Sequence, residues 1–277
     1  MTKAFKAIAV ALLLALTTGC AAVKSEQAGE ARSHVAISQD LTYIELLPDT
    51  YVVSDETFHQ SNVLVARMDA KTVLLASSPF EDQGAEQLMR WIRRKFGDVR
   101  VIAVNTHFHS DGTGGNAVYH QHGVETWASE QTRQLHSQRA EYYRHFEAEG
   151  FPETSIQRER ILARTFAPAK QAFPQSEGKI FSFAQETAEV FYPGPAHSPD
   201  NVVVYLPKRK VLFGGCMIKL GATLGYLGDA DVPAWAASAT ALKRFEVKYL
   251  IPGHGHQMSD ASGIEHTIAL ARQAQQK

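Results

Sequence analysis

The sequence predicts an α/β protein in which strands and helices alternate through two similar halves. Val99–Val104 is a continuous apolar, β-branched run, which is typical of a strand that is buried on both faces. Glu81–Phe96 places its apolar residues at helical spacing and is followed by a glycine that ends a helix. A long, polar helical stretch from Ser129 to Glu149 separates the two halves.

The remaining elements are assigned from shorter apolar runs in chain order. Strands are predicted in the first half at Tyr51–Val53, Asn62–Arg67 and Thr72–Ala76, and in the second half at Lys179–Phe183, Glu189–Tyr192, Val202–Leu206, Lys210–Phe213 and Tyr249–Ile251. The second half also contains two predicted helices, Val232–Phe245 and Gly263–Gln275. Asp231 is the expected N-cap of the first of these, because it precedes a proline in the first turn.

Residues 1–19 have the layout of a signal peptide. Lys3 and Lys6 precede the apolar run Ala7–Leu16, and small residues then lead to Cys20. This ending resembles a bacterial lipobox, in which the cysteine is lipidated and becomes the mature N-terminus; the alternative is ordinary signal-peptidase cleavage just after it. We therefore expect a protein of the Gram-negative periplasm, soluble or lipid-anchored through Cys20, with residues 20–39 as a tether and 40–277 as the folded domain.

Composition excludes several classes of protein. With 44% hydrophobic and 21% charged residues in a chain of 277, the protein is globular and not intrinsically disordered. The formal net charge is -1 and no basic face is present, so we expect no nucleic-acid partner. Two cysteines cannot form a disulfide scaffold, and Cys216 has no partner if Cys20 is acylated. We therefore expect Cys216 to be either buried or bound to a metal. We also expect the protein to be a monomer.

Four segments place a histidine or a cysteine directly beyond an apolar strand. The first is His107-Phe108-His109-Ser110-Asp111, whose two imidazoles are two residues apart on extended chain and so point the same way. Glycine or proline flanks the other three residues, as expected where the backbone approaches a compact site. The six candidate donors are His107, His109, Asp111, His197, Cys216 and His254.

This donor set favours zinc over magnesium or calcium, because it combines imidazoles, a carboxylate and a thiolate. Six donors are too many for one tetrahedral ion and suit two ions with three each, which leaves the open positions typical of catalytic sites. Cys216 alone could equally be a buried apolar residue, but its unpaired thiol favours a ligand. The other eight of the twelve histidines, His34 and His256 among them, have no such spacing and are interpreted as ordinary core or surface residues.

These motifs resemble the class B, subclass 1 enzymes of the metallo-β-lactamase superfamily across nearly the whole mature chain. The resemblance implies a four-layer αββα sandwich of two similar halves, with the site at one edge between them. It implies two zinc ions per chain, the first bound by His107, His109 and His197 and the second by Asp111, Cys216 and His254. It also implies that residues 40–277 are the catalytic domain.

The resemblance further implies hydrolysis of the β-lactam amide of penicillins, cephalosporins and carbapenems by a zinc-bound hydroxide, which confers antibiotic resistance. Asp111 would orient the hydroxide, and Lys219 matches the family's lysine for the substrate carboxylate. We also expect Phe58 and Tyr226 to contact the substrate. The competing interpretations are that Phe58 anchors its loop and that Lys219 is a solvated surface residue.

The sequence departs from the family pattern at three positions. Ser77 stands where many relatives carry an aspartate, Gly112 where a side chain often follows the aspartate ligand, and Tyr226 where many relatives place an oxyanion-stabilising asparagine. Loss of a carboxylate that supports metal ligands commonly weakens a site tenfold or more. We therefore expect a weaker second zinc than in relatives that retain the aspartate.

Two alternative functions remain open at this point. The first is a thiolester or lactone hydrolase of the same superfamily; such enzymes resemble His-x-His-x-Asp-His with a bridging aspartate in place of the cysteine, so Gly112 and Cys216 argue against it. The second is a non-catalytic periplasmic zinc-binding lipoprotein. Two open sites beside Lys219 fit substrate turnover better than metal storage.

Overall fold

The computed structural model describes residues 33–276; the predicted signal peptide and Cys20 lie outside the described residues. One sheet has eight strands in chain order: β1 Val35–Ala36, β2 Leu41–Leu47, β3 Thr50–Asp55, β4 Ser61–Asp69, β5 Thr72–Ala76, β6 Arg100–Val104, β7 Glu125–Ser129 and β8 Gln171–Phe173. The other sheet has five strands in the order β13-β12-β11-β10-β9: β9 Lys179–Ser182, β10 Thr187–Phe191, β11 Val203–Leu206, β12 Val211–Gly215 and β13 Tyr249–Pro252.

Within residues 33–276, seven α-helices connect and cover these sheets. They are α1 Asp82–Phe96, α2 Ser110–Thr113, α3 Asn116–Gln121, α4 Glu130–Glu149, α5 Ile156–Ala163, α6 Val232–Ala241 and α7 Ser262–Ala274. A 3-10 turn, Leu242–Arg244, continues α6, so the helix predicted to reach Phe245 loses its α-helical geometry after Ala241. Among residues 33–276, none of the helices combines the length and apolar composition that a bilayer crossing requires.

Three large apolar clusters make this a four-layer structure. One cluster lies between the two sheets, a second between the first sheet and α1 with α3, and a third between the second sheet and α6 with α7. Strand β6 shows the arrangement directly, since Ile102 and Val104 belong to the first cluster while Val101 and Ala103 belong to the second. The predicted αββα sandwich is confirmed, and β6 is buried on both faces as predicted.

Local capping explains where the main helices begin. The Glu81 carboxylate accepts hydrogen bonds from the backbone N–H groups of Gln83 (2.8 Å) and Gly84 (3.0 Å) at the start of α1. Ser129 accepts from the N–H of Thr132 at 3.0 Å to begin α4. Asp231 caps α6 in the same way. Such caps stabilise a helix by about 1 kcal/mol each, and these starts match the sequence expectations.

Several observed elements lie outside the predicted segments: β1, β2, α2, α3, β7, α5 and β8. Strand β8 is a three-residue strand at the edge of its sheet, and β2 alternates between buried and partly exposed residues without a strong apolar run. Within the segment predicted as a tether, residues 35 and 36 form strand β1 and pair with β2 through the register Val35↔Tyr43.

Hydrogen bonds join the two sheets at one edge. The Asn62 side chain of β4 donates to the carbonyls of Pro252 (3.0 Å) and Gly255 (2.8 Å), which flank His254. Across the same edge, the N–H of Val202 donates to the carbonyl of Thr106 at 2.8 Å. These bonds bring the ends of β6 and β13 close to β4 and to the start of β11, and β12 lies beside β13 through their parallel pairing. Five of the six candidate donors follow the ends of β6, β12 and β13, and His197 lies in the loop before β11.

Candidate metal centre

Three of the predicted donors form a buried triangle of imidazoles. His107 and His109 follow β6 on the turn into α2, and His197 lies in the loop before β11. The Nδ1 atom of His109 is 3.2 Å from the Nε2 atom of His197, and the donor atoms of the three rings lie within 4.8 Å of one another. His107 Nε2 is buried, and although Asp111 Oδ1 lies 3.2 Å away, it makes no well-aligned hydrogen bond. A buried nitrogen in this position, beside two other imidazoles and a carboxylate, fits a zinc ligand.

Asp111 joins this triangle to a second group of donors. The Cys216 thiol donates to Asp111 Oδ2 at 2.8 Å, and His254 Nε2 lies 3.1 Å from the same oxygen. On its other side, Asp111 Oδ1 is 3.2 Å from His107 Nε2. The structure thus brings all six predicted donors together. A thiolate, a carboxylate and an imidazole around one point fit a second zinc ion.

The charges in this group balance one another. Burial raises the pKa of Asp111, but His107 and His254 outweigh that effect and hold the carboxylate well below its usual pKa. Burial lowers the pKa of His254, yet Cys216 and Asp111 raise it to about 10. Without metal, protons on the imidazoles therefore compensate the anionic donors. Zinc binding would release these protons, so we expect metal affinity to fall as pH falls.

Gly112 lets the backbone turn tightly behind His107. A Cβ atom at this position would lie 2.3 Å from the His107 carbonyl oxygen and 2.9 Å from His107 Nδ1. The Asn105 side chain fixes the turn by donating to the Gly112 carbonyl at 2.7 Å, and its amide pairs with that of Asn116. Any side chain at residue 112 would displace a zinc-ligand candidate or its backbone.

Asp229 also belongs to the site, although no motif in the sequence indicated it. His109 donates from Nε2 to Asp229 Oδ2 at 2.9 Å, which turns His109 Nδ1 toward the other imidazoles. The Asp229 side chain is 4% exposed, and it also accepts hydrogen bonds from Arg139 and Tyr143 of α4. No local spacing could have revealed this contact, because Asp229 follows His109 by 120 positions.

The long helix α4 is therefore attached to the centre at two places. Besides Arg139 and Tyr143, Glu147 accepts a hydrogen bond from Ser110 at 2.7 Å, and Ser110 lies between two candidate ligands in the sequence. The buried Arg164 donates to the same Glu147 carboxylate at 2.8 Å. The polar face that the sequence indicated is thus turned inward over part of its length, where it supports the metal centre.

Lys219 lies beside the second donor group and is half-buried. Burial lowers its pKa, whereas the nearby Cys216 and Asp111 act in the opposite direction. The Thr267 hydroxyl of α7 fixes its backbone, accepting from the Lys219 N–H at 3.0 Å and donating to its carbonyl at 3.1 Å. This placement differs from that of a fully solvated surface lysine.

Tyr226 lies at the rim of the centre. Its side chain is among the large exposed ones at 39% exposure, and its ring centroid is 6.0 Å from that of His109. Its hydroxyl lies 3.2 Å from that of Tyr143. Its ring also packs 5.5 Å from that of Phe146, so α4 and Tyr226 together form an aromatic wall beside the imidazoles.

Phe58 lies elsewhere than expected. It is fully buried, and its ring stacks on Phe80 with centroids 4.8 Å apart and planes 3° from parallel. Phe151 and Ile161 complete this small apolar cluster. The interpretation of Phe58 as a substrate contact is corrected, because its side chain offers no surface to a substrate here. Its packing supports the alternative that it anchors the loop.

Ser77, one of the departures from the family pattern, is buried and has a positive φ of 71°. Its hydroxyl lies 2.7 Å from that of Thr106, the residue before His107. A pair of neutral hydroxyl groups therefore lies directly behind His107.

Comparison with known proteins places this chain among proteins of one superfamily. Residues 57–254 match the metallo-beta-lactamase superfamily. The chain is 30% identical over 232 residues to a metallo-beta-lactamase type 2 of Elizabethkingia meningoseptica, covering 82% of each chain. It is 32% identical over 195 residues to a metallo-beta-lactamase type 2 of Pseudomonas aeruginosa, covering 70% of this chain and 67% of that one.

Solved structures show the same similarity. The crystal structure of the DIM-1 metallo-beta-lactamase exposed to ceftazidime superposes with a TM-score of 0.69 at 29% identity, covering 85% of this chain and 98% of that one. The crystal structure of VMB-1 superposes with a TM-score of 0.68, also at 29% identity, over 86% of this chain and 99% of that one. Both the sequence relatives and the solved structures therefore match this chain over most of its length.

Proposed function

The chain belongs to the metallo-beta-lactamase superfamily, and we propose that it is a zinc-dependent β-lactamase that opens the β-lactam amide of penicillins, cephalosporins and carbapenems. The observation that carries this function is the position of Asp111, which contacts His107 on one side and Cys216 with His254 on the other. The two groups of three donors lie side by side, with Asp111 of one group against His107 of the other. This arrangement matches a centre for two zinc ions, each with an open position.

We infer a finer relationship from the sequence. Several stretches are similar to the São Paulo metallo-β-lactamase of subclass B1, namely HFHSDGTGGN, GPAHSPDNVVVY, FGGCMIK, LGYLGDA and IPGHG. The departures at Ser77, Gly112 and Tyr226 are shared with that enzyme type. Four of these five stretches contain candidate donors, so the similarity includes the metal-binding segments.

The roles of the side chains follow from their positions. When bound, the two zinc ions supply Lewis acidity and a nucleophile that is active at neutral pH. His107, His109 and His197 would hold one ion, and Asp111, Cys216 and His254 the other. The Asp111 carboxylate, whose pKa lies well below its usual value, remains ionised and can accept a hydrogen bond that orients the nucleophile.

Lys219 would bind the carboxylate that penicillins, cephalosporins and carbapenems carry beside the ring nitrogen. Its ammonium lies in a half-buried position beside the second donor group, where an ion pair with substrate is screened less than on an open surface. This contact would place positive charge near the departing nitrogen. Tyr226 lies at the rim of the centre beside His109 and would contact the substrate from there.

We further propose that the mature protein is a periplasmic monomer, either soluble or attached to the membrane by a lipid on Cys20. The layout of residues 1–19 supports this proposal. Labelling of cells with a radioactive fatty acid would distinguish the two forms, because only the lipoprotein becomes labelled.

A chromogenic cephalosporin tests the function directly. Zinc-loaded protein should hydrolyse it, EDTA should abolish the reaction, and added zinc should restore it. A parallel assay with thiolesters and lactones tests the other hydrolase function. Zinc-loaded protein that turns over only those substrates, or none, would overturn the proposal.

A further inference from the structure

A second, separate cluster of metal-binding side chains lies on the surface. It consists of His34 before β1, Glu56 after β3 and His256 after β13, whose donor atoms lie within 4.8 Å of one another. His256 Nε2 is 2.9 Å from Glu56 Oε1, and the ring centroids of His34 and His256 are 3.9 Å apart. The three residues are far apart in the sequence, so the fold itself brings them together.

The donor chemistry of this cluster is that of a transition-metal site. Two imidazoles and one carboxylate are the protein ligands of many zinc sites that keep an open position for water. The ion pair between His256 and Glu56 would be complete without a third group. The His34 ring nevertheless packs against His256 beside the same carboxylate, at an angle of 34° between the ring planes.

Neighbouring groups hold these donors in place. The Thr42 hydroxyl of β2 donates to Glu56 Oε1 at 2.5 Å and lies 3.4 Å from His34 Nδ1. Gln60 lies within 3.5 Å of the other Glu56 oxygen. Metal-binding carboxylates and imidazoles are commonly oriented by such outer hydrogen bonds. The cluster is also accessible, since the His256 and Glu56 side chains are 35% and 25% exposed.

We propose that His34, Glu56 and His256 form a third metal site that binds one divalent transition-metal ion such as zinc. Water would complete the coordination, because all three protein ligands reach the surface. The site is distinct from the six-donor centre and shares none of its residues. It does not depend on the proposed β-lactamase function.

Such an ion would fasten the N-terminal segment to the edge of the catalytic centre. His34 precedes a two-residue strand that pairs only with β2 among the described residues. His256 belongs to the loop that carries His254, and Glu56 opens the loop that carries Phe58. Bound metal would therefore link the segment before β1 to both of these loops.

Zinc stoichiometry tests this site independently of catalysis. The full mature chain would be dialysed to equilibrium against excess free zinc and weighed by native mass spectrometry. Wild type should bind three zinc ions, whereas His34→Ala and His256→Asn should bind two. Glu56→Gln keeps the shape of the side chain but removes its charge, and it should weaken the third ion by at least roughly tenfold.

The control is a matched surface pair. His145 lies 3.1 Å from Glu141 on α4, in an exposed histidine–carboxylate pair that is absent from the candidate metal groups. His145→Ala should leave the count at three. Hydrogen exchange gives a second readout, since zinc should slow exchange at residues 35–36 in wild type and not in His34→Ala. Two zinc ions in wild type, or three in His34→Ala, would overturn the proposal.

Discussion

Asp229→Asn tests whether a carboxylate behind His109 sets the affinity of the three-histidine zinc site. Asp229 accepts a hydrogen bond from His109 at 2.9 Å and also pairs with Arg139 and Tyr143. Burial raises the pKa of Asp229, but His109 and Arg139 outweigh this and keep the carboxylate ionised. Asparagine keeps the shape but has a single acceptor oxygen, so its NH₂ group must face one of these donors.

The expected loss follows from the role of such outer partners. Removing the group that orients a metal-binding histidine typically reduces metal affinity about 10–100-fold, or about 1.4–2.7 kcal/mol. Asp229 should lie at the upper end of this range, because it is almost fully buried and accepts from three side chains. Arg139→Gln removes one of those partners and leaves the contact with His109, so its loss should be smaller.

Competition with a chromophoric chelator measures the two zinc affinities separately. Asp229→Asn should weaken the site of His107, His109 and His197, while the Asp111 site changes by less than about threefold. Excess zinc should restore hydrolysis. Asp260→Asn is the control, because Asp260 is exposed and caps the turn at Ser262. Unchanged affinity at the three-histidine site, or loss confined to the Asp111 site, would refute the reasoning.

Three further substitutions have distinct expected outcomes. Lys219→Ala should lower kcat/KM for carboxylate-bearing β-lactams by about 10–100-fold, since a hydrogen bond to a charged group contributes about 1.5–3 kcal/mol; an unchanged KM in steady-state kinetics would contradict the assigned contact. Phe58→Ala should destabilise the fold by about 3–5 kcal/mol in urea unfolding and leave KM within about twofold, because this fully buried ring packs in the apolar cluster with Phe80. The third substitution, His136→Gln, tests how stability depends on pH. Burial lowers the pKa of His136 to about 4 from its ordinary 6.5, and Arg164 contributes a smaller effect in the same direction. The unfolded chain therefore binds this proton more readily, and stability is lost as pH falls below 6.5, by about 2 kcal/mol at pH 5. Wild type should lose more stability than His136→Gln between pH 7.5 and pH 5 in zinc-containing buffer, and parallel losses would contradict this origin.

The six metal donors could be predicted because each lies beside an apolar strand or on a glycine-rich turn. Strand ends meet at one edge of a sheet, so the linear pattern already implied a shared location. Strand β6 and helix α1 could be predicted equally well, since their apolar patterns are strong. Elements β7, β8 and α5 gave weak signals because they are short or largely polar.

The parts that the sequence did not reveal depend on contacts between distant segments. Asp229 reaches His109 across the interface of the two halves, and Arg139 reaches Asp229 from α4. Phe58 was expected to contact the substrate, whereas stacking on Phe80 buries it. The cluster of His34 and His256 was overlooked for the same reason, since neither residue has a metal-binding spacing of its own.

Anomalous X-ray diffraction at the zinc edge tests the central claim most directly. In crystals of zinc-loaded protein, one peak should lie among His107, His109 and His197, and another among Asp111, Cys216 and His254. Both peaks should disappear after soaking in EDTA. A crystal saturated with zinc that shows no peak at either group would contradict a two-metal hydrolytic centre in this protein.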